Sequence, residues 1–104
     1  MSCGFDSGEG DPLGGYKITP DGYGHMTHLL KCLANGKVVV ALEGGYNLST
    51  ISNSMCSVAE VLLGDTPRMF ETPSIPNEIA MKSIKDVAKP VSYTHLTLPT
   101  ILLV

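Results

Sequence analysis

Apolar residues recur at helical spacing in three stretches of the chain, and an unbroken apolar run lies between the first two. Tyr23, Met26, Leu30, Leu33 and Ala34 share one helical face. Thr19-Pro20 precedes them as cap and first helical residue, and Asn35-Gly36 follows as a stop. The spacing predicts a helix over 20–35. Val38-Val39-Val40-Ala41-Leu42 is short, continuous and rich in β-branched side chains. That is the pattern of a strand covered on both faces in a parallel sheet. Glu43-Gly44-Gly45-Tyr46-Asn47 is the turn after it. Ile51, Met55, Val58, Ala59 and Leu62 return to helical spacing, with Asn47 or Ser49 as cap and Gly64 as stop. A last helix is expected over 77–89. Ala80, Ile84, Val87 and Ala88 mark its apolar face, and Lys82, Lys85, Asp86 and Lys89 the opposite one. Pro90 ends it.

The segments between these elements are equally readable. Residues 7–18 are Gly-rich, carry Pro12 and form a loop, and residues 1–4 read as the stub of a strand. Pro67, Pro73 and Pro76 make 65–76 an extended connector. The order of loop, helix, strand, loop, helix is an α/β pattern with right-handed crossovers. A central strand at 38–42 needs neighbours on both sides, and this chain offers one at most. A two-stranded parallel sheet does not stand alone. The expectation is therefore the C-terminal part of a larger parallel-sheet, three-layer domain over 1–89. Residues 90–104 differ in character. Val91 to Val104 carry no charged residue and no helical period, and the string is similar to a translated sequencing-adapter segment. They read as a non-native tail. The alternative is a genuine edge strand, which Pro99 keeps out of any central position.

Composition narrows the function classes. Its 104 residues are enough for no more than one small domain, and its net charge of -3 with no basic stretch speaks against a nucleic-acid-binding face. No run is apolar for long enough to span a membrane. Met1-Ser2-Cys3-Gly4-Phe5-Asp6 has neither the basic nor the apolar region of a signal peptide. Cys3, Cys32 and Cys56 are odd in number and irregularly spaced, so they read as free thiols of a reducing compartment rather than as a disulfide or zinc set.

Two segments carry candidate chemistry: Gly4-Phe5-Asp6 with Gly10-Asp11-Pro12-Leu13-Gly14-Gly15, and Leu42-Glu43-Gly44-Gly45-Tyr46-Asn47. Taken alone, Asp6 reads as a turn or cap aspartate. Its functional reading is a metal ligand at the C-terminal edge of a parallel sheet, where α/β sites collect. Asp11 reads as structural, fixing its loop through the backbone. Tyr46 reads either as an amphipathic aromatic near a helix start or as a hydroxyl donor to a developing oxyanion. Gly44-Gly45 lacks the Lys-Ser/Thr that a phosphate loop requires. His25 and His28 are three apart on a helix, but no acid shares their face, so a structural or surface role is expected. His95 lies in the tail and carries no assignment.

Taken together, these segments and the helix opening Thr19-Pro20-Asp21-Gly22-Tyr23 closely resemble the zinc-dependent histone deacetylase family, from about residue 2 to residue 89. The similarity is nearest to the class II enzymes, and among them to the cytoplasmic, tubulin-deacetylating class IIb type, which Thr27-His28-Leu29-Leu30 and Leu62-Leu63-Gly64-Asp65 also resemble. The resemblance implies a partial arginase/deacetylase-like α/β fold. It also implies zinc held by two aspartates and a histidine, with Asp6 matching the second aspartate. Tyr46 matches the tyrosine that hydrogen-bonds the acetyl oxygen. Gly44 and Gly45 match glycines lining the acyl-lysine channel, and Leu13 matches its rim. The family's Asp-x-His motif and paired catalytic histidines have no counterpart here, which implies that the chain alone is inactive. The physics agrees. An acetamide is a poor electrophile, so Lewis-acid help is needed, and a phenol, with an ordinary pKa of about 10, stays protonated to donate.

Class IIa enzymes carry histidine where Tyr46 stands, so Tyr46 implies an active-type parent. The polyamine-deacetylating relative carries glutamate where Leu13 stands, so Leu13 implies a protein acyl-lysine substrate. The implied substrate is an acetylated histone or tubulin lysine, in the cytoplasm and/or nucleus, with corepressor or scaffold proteins as further partners. The alternatives are a polyamine deacetylase relative, a manganese amidinohydrolase (whose aspartate clusters are lacking), and a truncated, non-catalytic binding fragment using an open sheet edge.

Overall fold

The computed structural model describes residues 1–71 and 75–102. Contacts divide the chain into two units, Met1–Glu71 and Thr72–Val104. The first unit holds β1 (Ser2–Cys3), α1 (Pro20–Lys31), a 3-10 turn at Ala34–Gly36, β2 (Ala41–Leu42) and α2 (Leu48–Leu63); the second holds α3 (Glu78–Leu102).

β1 and β2 pair in parallel, Ser2 opposite Ala41 and Cys3 opposite Leu42. Hydrogen bonding continues past both strands: Glu43 donates to the Cys3 carbonyl at 3.1 Å and Phe5 to that of Gly44 at 2.8 Å. The two chain segments therefore leave the sheet side by side, at the same end. Phe5 and Val58 are fully buried, joined by Cys3 and Tyr23, with Ile18, Val40, Ile51 and Leu62 packed around them. The rings of Phe5 and Tyr23 meet edge to face at 4.9 Å, the arrangement their quadrupoles favour. Burial pushes the Cys3 thiol up, against the opposing pull of the Met1 ammonium, so it stays a neutral core residue. Cys32 and Cys56 are free and exposed.

The expected strand stub, the loop over 7–18 and the helix capped by Asn47 and stopped by Gly64 all form. Three details differ. α1 ends at Lys31 rather than at 35, with Cys32 as its last cap, while Asn35 and Gly36 adopt left-handed backbone in the turn beyond. Its buried face is Tyr23, Gly24 and Thr27, not the Met26–Leu30–Leu33 stripe. Gly24 approaches Ser57 and Val61 of α2, so the helices meet through small side chains, which permit closer contact than large ones. Met1, Leu30, Leu33, Val38 and Val39 instead line an open apolar groove. The strand expected over 38–42 shrinks to Ala41–Leu42, both exposed. Val38 to Val40 have the composition of a buried strand, but among the described residues only β1 pairs beside them.

In the second unit α3 does not stop at Pro90 but continues to Leu102. A proline inside a helix withholds its own N–H and crowds the carbonyl four residues back, but the helix satisfies the rest of its backbone internally, whereas the alternative edge strand needs a neighbouring strand. The apolar residues Ile84 and Val87 are exposed. Residues 72–74 of the expected connector, and residues 103–104 of the tail, lie outside the described residues.

Candidate functional site

Asp6 lies three residues past the end of β1, and Gly44 to Tyr46 lie just past β2, so the parallel pairing puts both loops on one rim. The Asp6 carboxylate lies against the second loop. A Cβ added to Gly44 would stand 2.8 Å from Asp6 Oδ2, and one added to Gly4 3.2 Å from Oδ1. Asp6 is exposed, and its carboxylate accepts no hydrogen bond among the described residues. Gly45 has a φ of +132°, which glycine alone adopts readily, and a Cβ there would press within 2.9 Å of Ile51.

The first loop is folded back on itself by a bridge between Gly8 and Ile18. Glu9 donates to the Ile18 carbonyl at 3.0 Å and Ile18 to that of Ser7 at 3.1 Å. The Ser7 and Tyr23 hydroxyls share a 2.7 Å hydrogen bond that roots the loop on α1. Gly14 passes so close to the backbone of Asp6 that any Cβ would overlap the Asp6 carbonyl oxygen.

Asp11 is the residue whose role differs from expectation. It holds the loop through its side chain, and it reaches the second loop as well. Oδ1 accepts from the backbone N–H of Leu13 at 2.8 Å and of Gly14 at 3.0 Å, while Oδ2 accepts from that of Tyr46 at 2.7 Å. The side chain is buried at 9% exposure. Burial pushes its carboxyl up, but the three N–H donors from Leu13, Tyr46 and Gly14 outweigh this and hold it below its ordinary value. Asn47 and Thr50 complete the stitching. The Asn47 amide donates to the Gly10 carbonyl at 2.9 Å, and the Thr50 hydroxyl to that of Glu9 at 2.8 Å. Asn47 Oδ1 meanwhile accepts from the Thr50 N–H at 3.1 Å and caps α2.

The structure therefore brings the anticipated residues to one place. Asp6 touches Gly44, while Leu13 and Tyr46 share Asp11 as acceptor. The side chains of Leu13 and Tyr46 are 72% and 60% exposed, free to face a ligand. Among the described residues no three His, Cys, Asp or Glu side chains cluster closely enough to hold a metal ion. An exposed carboxylate that accepts no hydrogen bond among the described residues is chemically suited to serve as one ligand of a metal ion. His25 and His28 lie elsewhere. His25 stacks on Phe70 at 4.5 Å, with Nε2 2.8 Å from the Arg68 carbonyl, and His28 is exposed. Sequence reasoning missed the reach of Asp11 and the close approach of Gly14. An Asp two residues before Leu13 in a Gly-Asp-Pro turn signals a side-chain cap of that turn, but its bond to Tyr46 spans 35 positions and leaves no local trace.

Residues 1–62 match the family model of the histone deacetylase domain. The chain belongs to the histone deacetylase family. It is 52% identical over 73 residues to histone deacetylase HDA1 of Saccharomyces cerevisiae, covering 70% of this chain and 10% of that protein. To polyamine deacetylase HDAC10 of Homo sapiens it is 42% identical over 85 residues, covering 82% of this chain and 13% of that one. The solved structure of the histone deacetylase Clr3 superposes with a TM-score of 0.75 at 46% identity, over 82% of this chain and 14% of that one. The chain thus spans a small part of the length of the relatives it matches. Its helices and short parallel sheet are consistent with part of the deacetylase fold.

Proposed function

We propose that the chain is the C-terminal portion of the catalytic domain of a zinc-dependent protein lysine deacetylase of the class II type, hydrolysing acetyl-lysine to lysine and acetate. The observation that carries this reading is the meeting of an open carboxylate, Asp6, with the Gly44-Gly45-Tyr46 loop on one rim of a parallel sheet. Asp6 would be one ligand of the zinc. When bound, the metal supplies Lewis acidity toward the amide carbonyl and the attacking water. Tyr46 donates its phenolic proton in a hydrogen bond to the acyl oxygen as charge builds there. Gly44 and Gly45 keep the approach to Asp6 narrow but open, and Leu13 offers an apolar edge to the lysine stem.

Residues 1–89 supply this segment, and 90–104 form a non-native tail, as their charge-free composition supports. A neutral Leu13 favours an acylated protein, a histone or tubulin lysine, over a cationic polyamine. Corepressor or scaffold proteins are the further partners, and free thiols suit a cytoplasmic and/or nuclear setting. With one ligand of the metal site, the isolated chain is inactive.

The test is a deacetylase assay on a complete domain carrying this segment, using an acetyl-lysine peptide and an acetylated polyamine. Peptide turnover is expected to dominate, and Tyr46→Phe to lower kcat by about 10²–10³. Preference for the polyamine would replace the substrate assignment. Unchanged kcat in the Phe variant would remove Tyr46 from the chemistry. Zinc-dependent turnover by the purified 104-residue chain would end the claim that it is inactive alone.

A further inference from the structure

We infer that Asp11 is a positioning residue for Tyr46: its carboxylate latches the Tyr46 backbone to the turn at Leu13 and Gly14, and so sets where the phenol stands. The inference rests on the reading of Tyr46 as the donor to the acyl oxygen. Capping the turn occupies only one oxygen of Asp11, the one that accepts from Leu13 and Gly14 at 2.8 and 3.0 Å. Asparagine or serine could do as much. The second oxygen takes the N–H of Tyr46 itself at 2.7 Å. Only a carboxylate accepts at both oxygens, and an ionised acceptor makes the stronger bond.

The latch also connects to the metal-ligand side of the rim. Gly14, held by Asp11, is packed on the Asp6 carbonyl. Asp6 and Tyr46 are thereby referenced to the same turn, although the segments that bear them are far apart in sequence. The other ties between the loops, Asn47 to Gly10 and Thr50 to Glu9, flank the tyrosine without holding its own amide. They tie the loops together when the latch is opened, so an isosteric change at Asp11 lowers stability without releasing the second loop from the first.

The test uses the complete, zinc-loaded domain and a double-mutant cycle. In Asp11→Asn the carbonyl oxygen keeps the turn while the amide turns a donor toward the Tyr46 N–H. Misplacing a catalytic group by an ångström costs about 10²-fold, so kcat is expected to fall by that order. KM and zinc content should hold. In the Tyr46→Phe background the same change should cost little more, because the hydroxyl it aims is already gone. Replacing the Tyr46 peptide amide by an ester deletes the same N–H with both side chains intact and should reproduce the loss of kcat. Effects that multiply in full, zinc lost from the Asn variant, or an ester variant with full activity would each overturn the inference; the ester decides it even where the Asn variant does not fold. Full activity in Tyr46→Phe alone would instead take down the reading of Tyr46, and this inference with it.

Discussion

Gly44 and Gly14 both make room for Asp6, but for different parts of it. A Cβ on Gly44 meets the carboxylate, the movable end of the side chain, at 2.8 Å. Gly44→Ala should therefore leave the fold in place and turn the carboxylate aside. In a complete domain its zinc affinity is expected to drop about 10–100-fold, the usual scale for disturbing what orients a ligand, as read by competition with a chelator. A Cβ on Gly14 meets the Asp6 backbone carbonyl, which cannot swing away. Gly14→Ala should destabilise the chain by about 1–3 kcal/mol, the scale of overpacking, measured as a lowered urea midpoint. Asp11 gives a pH dependence with a definite sign. Its folded pKa is held below the unfolded value. Its contribution to stability is thus complete above the unfolded value of about 4 and disappears as pH falls through the folded one. The urea midpoints of the parent and Asp11→Asn should differ at neutral pH and converge in acid. At this scale the motif alone marked Asp6, Leu13 and Tyr46 as candidates, and the structure sets them on two neighbouring loops. The motif marked Gly44 through an expected lysine channel, and in the structure the atom nearest a Cβ there is Asp6 Oδ2.

Helix ends were legible where the chemistry is local. Thr19 accepts from Gly22 N–H at 3.2 Å and Asn47 from Thr50 N–H at 3.1 Å, and Gly64 closes α2 at a φ of 117°. Each depends on neighbours within three residues. Packing faces were less legible, because hydrophobicity points to Met26, Leu30 and Leu33 whereas α1 buries Gly24 and Thr27 and meets α2 at Gly24. The strand at Val38–Leu42 was the hardest, since pairing depends on partners rather than on its own residues. Two outcomes belong to these elements. Lys31 of α1 donates to the carbonyls of Val61 and Leu62 at 2.8 and 3.4 Å, at the C-terminal end of α2. Lys31→Met should lower stability by about 0.3–1 kcal/mol, as expected for a cation at that pole, less at high salt. Ser54 is fully buried, and its hydroxyl has no partner among the described residues. An unsatisfied buried hydroxyl costs about 1–3 kcal/mol, so Ser54→Ala should raise the thermal midpoint.

At the scale of the whole molecule, the α/β order and the rim at the strand ends were legible, because a parallel pair joined through a helix must exit both strands in one direction. What the chain could not specify alone is the cover for its groove. Leu33 is 64% and Val39 81% exposed, beside Met1 and Leu30. Contiguous apolar surface of this kind promotes association. The purified chain should bind a hydrophobic dye and associate with rising concentration, and Val39→Lys should weaken both, by fluorescence titration and sedimentation.

The side-by-side exit of Phe5 and Gly44 bears on protein engineering. The two loops owe their register to a backbone bond between strand ends, to Tyr23 beneath one loop and to the first turn of α2 beneath the other. Short peptides copying the loops would carry the letters and lose the geometry. A graft onto another scaffold would have to take Met1–Gly64 as one block, with helices included.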